Sequence, residues 1–145
     1  MRIIVINGPN INLIGIREPE IYGKDDYAAL EKLIRETCAA ECIEVDIFQS
    51  NHEGVIVEKI QQTLGHYDGI VINPASYTHT SIAILDALKA VGLTAVEVHI
   101  SDVCRREHFR QTSFAGLACV KTITGQGIDG YRQAILYLKE YLFHF

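Results

Sequence analysis

The feature that most limits what this chain can become is an alternation: short runs of β-branched and aliphatic residues are each followed by a longer segment with apolar residues at helical spacing. The short runs fall at about Arg2 to Asn7, Glu44 to Gln49, Gly69 to Asn73, Ala95 to Ile100 and Leu117 to Ile123. Between them, Tyr27 to Ala40 sets Leu30, Leu33, Ile34 and Cys38 on one stripe, and Val55 to Leu64, Ser81 to Val91 and Tyr131 to Leu142 carry similar stripes. Alternation of this kind builds βαβ units around a parallel sheet.

With 145 residues, 48% of them hydrophobic, the chain has enough apolar surface for one good core, so residues 1–145 are expected to form a single domain. Five strands with intervening helices in that space predict an α/β architecture: a flavodoxin-like, doubly wound five-stranded parallel sheet with helices on both faces. The ligand crevice of such a sheet lies beyond the carboxyl ends of its strands. A net charge of -5 with dispersed basic residues gives no footprint for nucleic acid. The opening MRIIVINGPN is too short an apolar run for an export signal or a membrane span, which predicts a soluble, cytoplasmic protein. Cys38, Cys42, Cys104 and Cys119 are then expected as thiols. Cys38 and Cys42, four apart on the first helix, lack the second Cys/His pair that a metal site requires, and read as packed thiols.

The search for chemistry therefore narrows to the segments after each strand: NGPNINLIGIREPEIYG, QSNHEG, NPASYTHTS, HISDVCRREHFR and TGQGIDG. The first, about residues 8–24, is long for a βα connection, and its content suits a lid: Gly15 and Gly23 bracket a segment with Arg17 and Tyr22. A solvated surface loop is the plainer alternative. Glu97 and His99, two apart at a strand end, point to the same face. A carboxylate on one ring nitrogen fixes the tautomer and favours the protonated ring that a general acid requires. A metal pair or a core ion pair fits the same two residues. Ile100, Ser101, Arg106 and Arg110 offer backbone N–H groups, a hydroxyl and forked guanidinium groups to a carboxylate, the two arginines sharing a face if their segment is helical. Asn73 and His79 are candidate partners for substrate hydroxyls, beside more capping hydroxyls (Thr78, Thr80, Ser81) than one helix needs. Ser50 to Glu53 reads as a capping box. Gly125-Gln126-Gly127-Ile128-Asp129-Gly130 has the letters of a dinucleotide fingerprint but no strand after its helix, and is read as a glycine-rich turn.

Together, NGPNINLIGIREPEIYG, QSNHEG, INPASYTHTSIAILDAL and EVHISDVCRREHFR resemble the type II 3-dehydroquinate dehydratase family, in order and over nearly the whole chain. The resemblance implies a cofactor-free, metal-free anti elimination of water from 3-dehydroquinate, giving 3-dehydroshikimate in the shikimate or quinate pathway, in a dodecamer built from trimers. It implies Tyr22 as a tyrosinate base flanked by Arg17 and Arg106. An ordinary tyrosine ionises near pH 10, so a value near 7 takes roughly 4 kcal/mol from such cations. By the same resemblance Asn10 holds the water that stabilises the enolate, and His99, oriented by Glu97, protonates the departing hydroxyl. Asn73, His79 and Arg110 grip ring hydroxyls, Ile100 and Ser101 take the carboxylate, and Asp86 reaches a neighbouring subunit's site.

The chain departs from the usual pattern at Ala75 and Ser76, where the family commonly has Gly-Ala, so a positive φ at Ala75 would be disfavoured. Asp102, Cys104, Arg105 and His108 also differ from the commonest residues. A lysine Schiff base is disfavoured, because of six lysines only Lys24 touches these segments, at the lid's edge. The competing readings are a non-enzymatic carboxylate-binding module and a flavin or nucleotide carrier.

Overall fold

A strand sends alternate side chains to opposite faces, so a run apolar at every position marks a strand covered on both sides. Ile3 to Ile6 within RIIVIN and Gly69 to Ile72 within GIVIN are such runs, and in the computed structural model, which describes residues 1–16, 20 and 24–144, their strands form the centre of the sheet. The five parallel strands are β1 (Arg2–Asn7), β2 (Glu44–Gln49), β3 (Gly69–Asn73), β4 (Thr94–Val98) and β5 (Lys121–Ile123), in the order β2-β1-β3-β4-β5. Helices α1 (Tyr27–Ala40), α2 (Glu53–Gln61) and α3 (Ile82–Val91) follow β1, β2 and β3, and α4 (Asp129–His144) follows β5, while β4 runs to β5 through short 3-10 turns.

The alternation of side chains sorts the core into two layers. Ile3, Val5, Val71, Val96 and Val98 pack with Leu30 and Ile34 of α1 and Ala134, Ile135 and Leu138 of α4. Ile4, Ile6, Ile70, Ile72 and Ala95 pack on the other side with Ile56 and Ile60 of α2 and Ile84 and Leu88 of α3. The expected flavodoxin-like sheet with helices on both faces is thus the observed one. Its chain leaves β1 for β2 and returns on the other side of β1 to β3, so the loops after β1 and β3 diverge and a crevice opens between them.

Several boundaries differ from the sequence reading. β4 ends at Val98, although the His99 N–H continues the ladder by donating to the Ile123 carbonyl (2.9 Å). Leu117 to Val120 lies outside β5: Ala115–Ala118 is a 3-10 turn, with Leu117 turned to solvent. Ser50 does not cap α2. Its N–H is held by the Asn7 carbonyl (3.0 Å), which keeps it in line with β2, and its hydroxyl accepts from His52 N–H in a turn before the helix begins at Glu53. Nor do Cys38 and Cys42 form a packed pair: Cys38 is buried on α1, while Cys42 lies beyond the helix end, exposed, at φ 57°. No helix among the described residues is long and apolar enough to cross a membrane.

The first loop begins under a tight constraint. Gly8 N–H donates to the Asn73 carbonyl (2.7 Å), and a Cβ at Gly8 would lie 2.4 Å from the Pro74 carbonyl oxygen. Ile11, in a 3-10 turn, and Ile14 are both buried, which roots the first half of the loop in the core. Gly8→Ala is expected to lose roughly 1–3 kcal/mol of stability by overpacking two backbones that cannot part. At Gly54 in α2 an added Cβ meets nothing, so Gly54→Ala should be neutral or slightly stabilising. Urea denaturation of both variants measures the contrast.

Candidate active site

Three of the strand ends supply one pocket of about 220 Å³. Pro9, Asn10 and Ile11 come from the loop after β1, and Asn73, Ala75, Ser76 and His79 from that after β3. His99, Ile100, Ser101, Val103, Arg106 and Arg110 follow β4. The sequence-predicted residues Asn10, Asn73, His79, His99, Ile100, Ser101, Arg106 and Arg110 therefore meet in one place, with Glu97 directly behind His99. Arg17 and Tyr22 lie outside the described residues. Asp86 is exposed on α3 and does not line this chain's pocket.

Glu97 is fully buried at the end of β4, and a buried carboxylate stays ionised only when donors surround it. His99 Nε2 lies 2.6 Å from its Oε1. Thr78 Oγ1 donates to Oε1 (2.5 Å), Ser113 Oγ lies 2.8 and 3.0 Å from the two oxygens, and Thr122 Oγ1 donates to Oε2 (3.0 Å). Burial pushes the Glu97 pKa up, but the bond and charge of His99 and the hydroxyls of Thr78 and Ser113 more than offset it and hold the group at about 2. With Glu97 ionised, Nε2 of His99 must carry the proton of that contact, leaving Nδ1 as the nitrogen available for chemistry.

His79 is set up the opposite way. Its Nδ1 lies 2.7 Å from the Thr112 carbonyl oxygen, which can only accept, so Nδ1 carries the proton and Nε2 offers a lone pair. Burial lowers the His79 pKa, against the raising effect of that carbonyl, and His99 and Arg110 lower it further. The two rings lie nearly parallel, with centroids 6.5 Å apart. One imidazole is backed by a fixed negative charge and the other is kept neutral.

The arginine segment is not one helix, as the sequence allowed, but two 3-10 turns, Val103–Arg105 and His108–Arg110. Arg106 and Arg110 still converge, because both approach Glu107 Oε2, at 3.9 and 2.7 Å. The departures from the family pattern find places here. Asp102 caps the first turn by accepting from Cys104 N–H (3.2 Å), and Arg105 pairs with Asp102 across exposed surface. Cys104 and His108 are exposed, and nothing in the structure explains their choice. Ala75 takes φ 54°, the left-handed region that costs an L side chain roughly 1–2 kcal/mol. The Asn73 side-chain oxygen holds it there by accepting the Ala75 N–H (3.0 Å).

Four residues at the site escaped sequence reading. Thr78, Ser113 and Thr122 hold Glu97, and only the surplus of hydroxyls near Thr78 hinted at it; Ser81 alone caps α3. Tyr131, fully buried on α4, accepts from Asn73 Nδ2 (2.8 Å) and donates to Asn7 Oδ1 (2.7 Å). Burial raises its pKa strongly, so it stays a neutral phenol and fixes the orientation of the Asn73 amide.

A family model described as Dehydroquinase class II matches residues 1–139. The chain belongs to the class II dehydroquinases. It is 48% identical over 142 residues to the 3-dehydroquinate dehydratase of Carboxydothermus hydrogenoformans, covering 98% of this chain and 92% of that one. Identity to the Clostridium acetobutylicum enzyme of the same name is 49% over 142 residues, with 98% and 99% covered. The crystal structure of the type II dehydroquinase from Butyrivibrio crossotus superposes with a TM-score of 0.94 at 51% identity, covering 96% of this chain and 97% of that one. Family membership makes the chain an enzyme of the type II dehydroquinase kind, with its pocket at the position this fold reserves for ligands.

The Glu97 cradle has a testable pH signature. A carboxyl whose pKa is depressed by folding, here from 4.5 to about 2, stabilises the fold fully above the higher value and loses that contribution as pH falls through the lower one. Thr78→Val removes one donor while keeping the shape, so it should cost about 2 kcal/mol near neutrality and move the acid limb of stability upward toward 4.5. Denaturant midpoints measured across the acid range test both; an unmoved acid limb would show that Thr78 does not hold the charge.

Proposed function

We propose that this chain dehydrates 3-dehydroquinate to 3-dehydroshikimate by anti elimination through an enolate, in the cytoplasm and without metal or cofactor. The observation that carries the reading is the His99–Glu97 pair opening onto a pocket that is also lined by His79, Arg106, Arg110, Ile100 and Ser101. Such a set offers an acid, a neutral acceptor for hydroxyls and a receptor for a carboxylate within one crevice.

In this mechanism Tyr22, as tyrosinate, takes the axial proton beside the ketone, and the electron pair of that C–H bond moves into an enolate. Arg17 and Arg106 supply the positive charge that keeps the phenol ionised, and a water on Asn10 stabilises the enolate oxygen. The enolate then reforms its carbonyl and expels the hydroxyl on the other face. For this step His99 carries a proton on both ring nitrogens: it gives the hydroxyl the one on Nδ1, so water departs, and keeps the one on Nε2 against ionised Glu97. The proton gained by Tyr22 balances the one lost by His99, and exchange through water resets both.

His79 Nε2 accepts from a ring hydroxyl, Asn73 and Arg110 hold the others, and Ile100 and Ser101 bind the carboxylate. The part of the 8–24 loop beyond buried Ile14 closes as a lid and brings Arg17 and Tyr22 over the substrate. Four free thiols suit a reducing compartment. Exposed Asp86 reaches the site of a neighbouring copy in a trimer, and four trimers make the dodecamer.

The test mixes purified protein, chelator present, with 3-dehydroquinate and follows the absorbance of the conjugated enone, beside Tyr22→Phe, with assembly checked by sedimentation. Wild type should turn over with no added metal, and the folded Tyr22→Phe protein should lose roughly 10²–10⁴-fold in kcat. Binding without turnover by wild type would favour a carboxylate-binding module, an active Tyr22→Phe would remove Tyr22 as base, and a fully active monomer would remove Asp86 from the site.

A further inference from the structure

The glycine-rich turn that resembles a dinucleotide fingerprint has a different task. Gly125 and Gly127 both take left-handed backbone, at φ 76° and 60°. That conformation aims their N–H groups at the segment after β4: Gly125 N–H donates to the Ser101 carbonyl and Gly127 N–H to the Ile100 carbonyl, both at 3.1 Å. With the His99 N–H on the Ile123 carbonyl, residues 99–101 are fastened to the chain leaving β5 at three points.

In a trans peptide the C=O and N–H point in opposite directions. No peptide of the described chain is cis. The Ile100 carbonyl is drawn toward the turn, so the Ser101 N–H in the same peptide points away from it. The Ser101 carbonyl fixes the Asp102 N–H in the same way. Ile100 and Ser101 are both buried and both line the pocket, to which residues 125–130 of the turn contribute no lining.

We propose that the Gly125–Gly127 turn is the positioning element of the carboxylate receptor: by holding the Ile100 carbonyl it sets the Ile100–Ser101 peptide plane so that the Ser101 N–H faces the carboxylate of a small hydroxy acid, and by holding the Ser101 carbonyl it fixes the chain that follows. The inference rests on the reading that these two residues receive the substrate carboxylate. Because the turn touches no reacting atom, its loss should weaken binding of the anion and leave the chemical step largely intact.

Gly127→Ala tests this, since a Cβ there meets nothing and the only disturbance is the left-handed backbone. Gly92→Ala is the matched control: φ is 67°, the added Cβ again meets nothing, and the position lies between α3 and β4 at the opposite end of the sheet. Both variants should lose similar stability. Gly127→Ala should raise KM for 3-dehydroquinate roughly tenfold with kcat within about threefold, whereas Gly92→Ala keeps both near wild type. Gly127→Asn, which tolerates left-handed backbone, should recover much of the KM and covers the case in which the alanine variant does not fold. Equal KM values for the folded Gly127 and Gly92 variants, or a fall in kcat at unchanged KM, would overturn the proposal. Inert wild type would instead remove the underlying reading, and the proposal with it.

Discussion

A carboxylate cut off from water must be compensated where it stands, and the organisation of this site follows from compensating Glu97. Removing an ion from water costs several kcal/mol unless bonds replace its hydration. Here the replacements come from four separate places in the sequence: Thr78 after β3, His99 at the end of β4, Ser113 in the long connection to β5, and Thr122 on β5 itself. Each donor segment is thereby tied to the same point. The connection from Ser101 to Val120 contains no α-helix or strand, yet its course is fixed, because Ser113 bonds Glu97 and Phe114 N–H bonds the Thr78 carbonyl (2.7 Å). The hydroxyls matter because they are neutral: they hold the charge without cancelling it, so it remains to act on His99.

From that charge comes the difference between two nearly parallel histidines. His99 is backed by an anion through Nε2, and His79 by a carbonyl through Nδ1. Identical side chains in one pocket thus present different nitrogens to the same ligand, the usual way in which environment divides acid and acceptor roles. The surrounding fold keeps this arrangement rigid. Asn73 is locked between Tyr131 and the left-handed Ala75, and Gly8 allows the β1 and β3 loops to touch.

The sheet was legible in the sequence because parallel strands buried on both faces carry unbroken apolar runs, as Ile3 to Ile6 of β1 and Ile70 to Ile72 of β3 do. The site was legible in outline because the fold collects its chemistry after the strands, so Glu97, His99, Asn73, His79, Ile100, Ser101, Arg106 and Arg110 could be sought there. What local pattern does not encode was missed. Ser113 and Thr122 reach Glu97 only through tertiary placement, and Tyr131 reads as an ordinary core position of an amphipathic helix. Ser50 satisfied the capping pattern, but its N–H was already committed to β1 and the helix began later. Leu117 to Val120 had the hydrophobicity of a strand, but a 3-10 turn there turns Leu117 outward. The unfavoured positive φ at Ala75 occurs nonetheless, because the Asn73 side chain offers that N–H a partner within the turn.

Ionised Glu97 and the Thr112 carbonyl give the two histidines opposite tautomers, which solid-state nitrogen-15 spectra of histidine-labelled protein above neutral pH resolve, with His79→Asn to assign the signals. His99 should show a proton on Nε2 and a bare Nδ1, and His79 a proton on Nδ1 with a bare Nε2. A proton on Nδ1 of neutral His99 would contradict this assignment, because the nitrogen facing Glu97 would then lack the proton that the contact requires.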